Sequence, residues 1–288
     1  MGRFWFGSVT ALLLCAAGPA AAVSIVAAES AYADIARQIA GPGASVTAIL
    51  TNPAVDPHDF EPAPSTARRV ADADIVILNG AGYDPWIAGL LPPSATPIVV
   101  ADLLGRHAGD NPHLWYDPLA MPALARALAT RLCQADPAHP GAILARRDAV
   151  LASLAVLGTR IAALRARLAG REVAATEPVF APMLQAIGLA DTHARFELAA
   201  MNGAEPRAGD VASLQADLQA HRISAFVTNA QAASPASLRL LGIAKLAGVP
   251  IVQVTETLPP GRTYQAWVGT ELDALEAALS IPPRQIAR

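Results

Sequence analysis

Apolar positions recur along this chain in two alternating periods. Residues 23–28, Val-Ser-Ile-Val-Ala-Ala, form a nearly unbroken apolar run of strand length, and residues 30–39 then carry apolar groups at helical spacing before Gly41-Pro42-Gly43 breaks them. The spacing predicts strands over 45–50, 75–79 and 97–101. It predicts helices over 65–73, with Ser65 as N-cap, and over 122–133. The same alternation restarts further on. Strands are predicted at 172–175, 223–229 and 250–254, and helices at 179–187, 208–221, 235–247 and 264–279. Between the two halves, residues 141–168 hold Leu151, Leu154, Leu157, Ile161, Leu164 and Leu168 at helical spacing with arginines interleaved. One helix there would be roughly 40 Å long at 1.5 Å per residue, long enough to touch two lobes.

Alternating strands and helices predict an α/β fold of two lobes. Each lobe is a mainly parallel sheet flanked by helices, and one long α-helix bridges them. The expected division is 1–22 as a signal peptide, 23–138 as the N-terminal lobe, 139–170 as the linking helix and 171–288 as the C-terminal lobe. The opening segment supports the first of these: Arg3, an apolar run over residues 4–22 interrupted by Pro19, and a small-residue end at Ala20-Ala21-Ala22. Cleavage there exports the chain and starts it at Val23. Leu14 precedes Cys15 where a lipid-attachment box needs a small residue, so an anchor is not indicated. Removal of the signal leaves Cys133 without a partner for a disulfide.

With 53% hydrophobic and 16% charged residues, a large core is easily built. A net charge of −3 gives no basic footprint, which excludes nucleic acid as a partner. Two cysteines exclude a cysteine-rich zinc site. Chemistry concentrates instead in two loops, Asp56-Pro57-His58-Asp59-Phe60-Glu61-Pro62 and Asn111-Pro112-His113-Leu114-Trp115-Tyr116-Asp117-Pro118. Each sets a histidine among prolines and acids, and two imidazoles are half of a tetrahedral or octahedral metal site. Of the six His, His139, His193 and His221 read as solvated or helix-end residues, and His107 as a possible accessory ligand. Glu177 and Glu256 each follow a predicted strand in a Thr-Glu context, where open α/β sheets bind ligands. Spacing alone leaves both open between metal ligation and a cap or solvated acid. Trp86, Trp115 and Tyr116 read as core packing rather than site lining.

These motifs, with 71–80 (Ala-Asp-Ala-Asp-Ile-Val-Ile-Leu-Asn-Gly), Glu177-Pro178-Val179-Phe180 and Thr255-Glu256-Thr257 before Tyr264, make the chain resemble the cluster A-I substrate-binding proteins of ABC transporters for zinc and manganese. The resemblance covers nearly all of the chain after the signal. It implies two α/β lobes bridged by one helix, and a metal buried between them on His58, His113, Glu177 and Glu256. It further implies a periplasmic monomer that delivers one divalent transition metal, Zn²⁺ or Mn²⁺, to an ABC transporter membrane permease, and not an enzyme. The chain departs from the zinc-importer pattern in carrying Glu177 where zinc-specific members often have His, and in lacking a His-rich loop before His113. Two imidazoles with two carboxylates suit either metal. Carboxylates that bind through both oxygens lean toward Mn²⁺ in selectivity, while the usual affinity order favours Zn²⁺. The alternatives are a zinc-dependent hydrolase on the same His/Glu site and a metal-binding surface adhesin. Neither a His-Glu-x-x-His helix nor a Gly-x-Ser-x-Gly elbow is present to support the first.

Overall fold

The computed structural model describes residues 22–54, 57, 60–232 and 234–280. The segment read as a signal peptide lies outside these residues, apart from Ala22. So do His58 and its neighbours Asp56 and Asp59.

In the N-terminal half, β1 (Val23–Glu29), β2 (Ala44–Leu50), β3 (Ile75–Leu78) and β4 (Ile98–Val99) alternate with α1 (Ser30–Ala40), α2 (Pro64–Ala71), α3 (Pro85–Ala88), α4 (Val100–Leu103) and α5 (Ala120–Ala135). Then comes α6 (Pro140–Leu168). In the second half, β5 (Glu172–Ala175), β6 (Ala190–Asp191), β7 (Ala225–Asn229) and β8 (Ile251–Val254) alternate with α7 (Ala181–Ile187), α8 (Ala194–Met201), α9 (Ala208–Gln219), α10 (Pro235–Ala247) and α11 (Tyr264–Ser280).

Both sheets are parallel and have one strand order, β2-β1-β3-β4 and β6-β5-β7-β8. Ile25 sits opposite Val46 on one side and Ile75 on the other, and Val173 pairs with Ala225. The second strand of each half therefore lies on one side of the first and the third on the other, so the chain reverses its winding direction there. Such a reversal opens a crevice at the carboxyl ends of the strands. Strands covered by helices on both faces must be apolar along their buried length, as β3 is throughout and β7 is from Ala225 to Val227 before its polar end at Thr228 and Asn229.

At 1.5 Å per residue, α6 is about 43 Å long. Length and composition alone would let it cross a membrane. Here Ile143, Val150, Leu154, Ile161, Leu164 and Leu168 form its buried stripe, packed against α1, α5, α7 and α11. Its arginines fasten the two halves separately. Arg146 donates to the carbonyls of Ile39 (2.6 Å) and Ala40 (2.9 Å) at the end of α1. Arg160 donates to the carbonyl of Gly269 (3.0 Å) in α11 and pairs with Asp273 at 2.6 Å. The two-lobed α/β architecture with a bridging helix is thus as the periodicity predicts.

Local details differ. The helix expected from Ser65 starts one residue earlier, with Pro64 in its first turn and Ala63 as a cap that makes no side-chain bond, because proline at the first position needs no N–H partner. The strand expected over 97–101 is only Ile98–Val99 and turns directly into α4. The helix α8 and the two-residue edge strand β6 are additions to the predicted elements, each too short to carry a clear period. His193, read as solvated, is buried, and its Nε2 lies 3.0 Å from Asp217 Oδ2.

Leu164 is fully buried where α6 meets the core, whereas Val156 on the same helix is 69% exposed. Leu164→Ala is expected to lower stability by about 3 kcal/mol through lost burial and a cavity. Val156→Ala should change it by less than about 0.5 kcal/mol. Urea unfolding followed by circular dichroism compares the two.

Candidate metal centre

The loops at the carboxyl ends of both sheets meet in one seam. After β3, Asn79 and Gly80 enter a tight turn in which Asp84 accepts from the backbone N–H groups of Asn79 (2.7 Å) and Gly80 (2.8 Å). Gly80 has φ +76°, and a Cβ there would meet Val99 Cγ1 at 2.7 Å, so only glycine fits. The turn presents Tyr83. Asn79 also accepts from the Tyr32 hydroxyl and donates through Nδ2 to the carbonyl of Pro112 at 2.8 Å, which seats the second histidine loop against the sheet.

Within that loop His113 is wholly buried. Asn111 Oδ1 accepts its backbone N–H and faces its Nδ1, each at 2.9 Å. The orientation of the Asn111 amide follows from its other end, since Nδ2 donates to the carbonyl of Pro178 at 2.7 Å. An oxygen at Nδ1 selects the tautomer that leaves the Nε2 lone pair facing outward, the arrangement metal-binding histidines use. Trp115 and Tyr83 hold the imidazole edge-on, with ring centroids 5.4 Å and 5.9 Å away. Trp115 and Tyr116 are core residues, as expected, yet Trp115 also forms a wall of the site.

From the other lobe, Glu256 follows β8 and Glu177 follows β5. His113 Nε2 lies 3.5 Å from Glu256 Oε2, with both side chains fully buried. The Tyr83 hydroxyl donates to the same oxygen at 2.8 Å. Asn229, at the end of β7, donates to Glu177 Oε2 and to Glu256 Oε1, each at 2.8 Å. Of the four residues expected as ligands, Glu177 and Glu256 are therefore joined through Asn229 and His113 faces Glu256, while His58 lies outside the described residues. Among the described residues no three His, Cys, Asp or Glu side chains gather closely enough to form a ready cation cluster; Glu177 is attached through the Asn229 amide. His107 is exposed, and His139 pairs with Asp136 at the surface, 2.9 Å away. A groove of about 1000 Å³ runs along α6, but none of His113, Glu177 and Glu256 lines it.

Sequence reasoning missed Tyr83, Asn229 and Gln231. Tyr83 stands just past the 71–80 motif, which offered a signal. Asn229 and Gln231 had only their position after a predicted strand.

A family profile described as zinc-uptake complex component A, periplasmic (ZnuA), matches residues 25–278. The chain belongs to the ZnuA family. The manganese-binding lipoprotein MntA of Halalkalibacterium halodurans is 30% identical over 139 residues, 46% of each chain. The iron-binding protein YfeA of Yersinia pestis is 31% identical over 118 residues, 37% of each. These matches span half or less of the relatives' lengths. The periplasmic zinc-binding protein TroA of Treponema pallidum superposes with a TM-score of 0.74 at 18% identity, over 89% of this chain and 99% of that one, which shows a shared fold. The resemblance drawn from the histidine loops and the two-lobed fold are both borne out by this membership.

Behind the seam, Tyr116 crosses from one lobe to the other. Its hydroxyl lies 2.9 Å from Glu271 Oε1 and donates to the carbonyl of Thr255 at 2.6 Å, next to Glu256. Burial pushes Glu271 up to about 8 from 4.5. The native state keeps this proton in the neutral range while the unfolded chain releases it. The stabilising contribution is full below about pH 4.5 and is lost as pH rises toward about 8. The metal-free protein is expected to melt at a lower temperature at pH 8 than at pH 5. Glu271→Gln, which never ionises, should flatten that slope in calorimetry, leaving the residue due to Glu29 and Glu197, which burial also shifts upward.

Proposed function

We propose that the chain is the extracytoplasmic substrate-binding component of an ABC importer. It captures one divalent transition-metal ion, Zn²⁺ or Mn²⁺, between its lobes and passes it to a membrane permease. His58 and His113 from the N-terminal lobe and Glu177 and Glu256 from the C-terminal lobe are its ligands. The observation that carries this reading is the buried His113–Glu256 pair, a neutral-donor imidazole and a carboxylate brought to 3.5 Å from opposite lobes. Water is excluded from both side chains, which suits holding a dehydrated ion. Family membership and relatives described as manganese-binding and iron-binding support a metal cargo. The chain is read as a binding protein and not an enzyme.

The seam also explains how the ion would be held in register. Asn111 ties the imidazole of one lobe to the carbonyl of Pro178, next to Glu177 in the other. Supporting partners of this kind tune ligand orientation and basicity.

Isothermal titration and elemental analysis of the purified protein should find one equivalent of Zn²⁺ or Mn²⁺. His113→Ala and Glu256→Gln should each weaken binding by more than about 100-fold, the upper end for loss of a merely supporting group. Wild-type protein that binds neither metal, or variants that bind as the wild type does, would overturn the proposal. Asn111→Ala is expected to weaken binding by about 10–100-fold while leaving one equivalent bound, as the same titrations would read.

A further inference from the structure

Asn229 stands between the two acids at the end of β7 and is buried. Its Oδ1 accepts the backbone N–H of Gln231 at 3.0 Å, so the NH₂ group is the end that faces the carboxylates. Its own backbone N–H donates to Thr176 Oγ1 at 3.0 Å, one residue before Glu177. Gln231 extends the clamp: its Oε1 accepts the backbone N–H groups of Glu256 (2.7 Å) and Thr257 (2.8 Å). The two amide hydrogens of Asn229 thus go to different acids, one to Glu177 Oε2 and one to Glu256 Oε1. The other oxygen of Glu256, Oε2, faces His113 Nε2 and accepts from the Tyr83 hydroxyl, a donor that turns aside by rotation about its own C–O bond when a cation takes that place.

A carboxylate can hold a cation through one oxygen or through both. We infer that Asn229 is a positioning residue for metal selectivity: by engaging one oxygen of each acid, it makes Glu177 and Glu256 single-oxygen ligands and shapes the site for four-coordinate zinc against manganese. This inference rests on the metal-binding reading above. Two imidazole nitrogens and two single oxygens are four donors, the tetrahedral complement zinc takes. Manganese favours octahedral oxygen-rich coordination. It gains donors here only if the carboxylates turn to offer both oxygens, which breaks the amide's hydrogen bonds. Without an ion, the same NH₂ group offsets the repulsion between the two neighbouring carboxylates. Asn229 thereby opposes the manganese preference that a pair of glutamates would otherwise confer.

The test is Zn²⁺/Mn²⁺ competition with the purified protein, coupled to X-ray absorption of each metal-loaded form. The wild type is expected to favour Zn²⁺ with four near neighbours. Asn229→Ala should raise the Mn²⁺-to-Zn²⁺ affinity ratio by at least about tenfold, the effect of releasing one net hydrogen bond, and add oxygen neighbours to bound Mn²⁺. Asn229→Ser, whose hydroxyl can donate to one carboxylate only, should shift the ratio in the same direction by less. The serine variant decides the matter if the alanine variant does not fold by circular dichroism. Folded variants that bind Zn²⁺ but keep the wild-type ratio and coordination number would overturn the selectivity role alone. Wild-type protein that binds neither ion would instead overturn the functional reading beneath it.

Discussion

Two carboxylates brought together in one seam, Glu256 buried and Glu177 half-buried, are the constraint on which the arrangement depends. Charged acids taken from water are costly and repel each other unless donors meet them. The chain supplies those donors from both lobes: the Asn229 amide to both acids and the Tyr83 hydroxyl to Glu256. These donors and His113 are in turn fixed by further bonds. Gln231 orients Asn229, Asn111 orients His113, and Asp84 shapes the turn that carries Tyr83. Strand ends converge on the seam because loops can present polar groups there while the strands behind them stay apolar.

Other acids lie deeper and are handled differently. Burial and the neighbouring Asp84 hold Glu29 well above the ordinary carboxylate range, and burial with Asp191 does the same to Glu197. Glu271 joins them beneath Thr255. Burial favours the neutral form of each of these groups.

Much of this was legible in the chain, for identifiable reasons. Apolar periodicity depends on local geometry, so β1, β3, β5, β7, β8 and the long α6 could be read directly. His113 announced itself through prolines and acids on both sides, and Glu177 and Glu256 through their place after strands. Asn229 could not be recognised, because a neutral amide at a strand end has no composition signal; its meaning comes from the register of β7 between β5 and β8. The burial of His193 was hidden for a similar reason, since its partner Asp217 is 24 residues away on a helix whose docking no local pattern reveals. Ser65 was misread because Pro64, whose fixed φ and missing N–H suit the first helical position, starts the helix one residue before it.

The last helix has a consequence for how the chain reaches its final form. Tyr264 donates its backbone N–H to Asp34 across 230 positions, Leu258 donates to Ser30 across 228, and Gln265 reaches Gln38 across 227. Contacts so distant along the chain carry a large loop-closure cost and form late. The first helix of the N-terminal lobe therefore waits, with buried polar groups unmet, for the C-terminal end to arrive. Neither lobe is a finished folding unit by itself. A chain emerging into its compartment from the N-terminus completes its binding seam only after nearly all of it has been made.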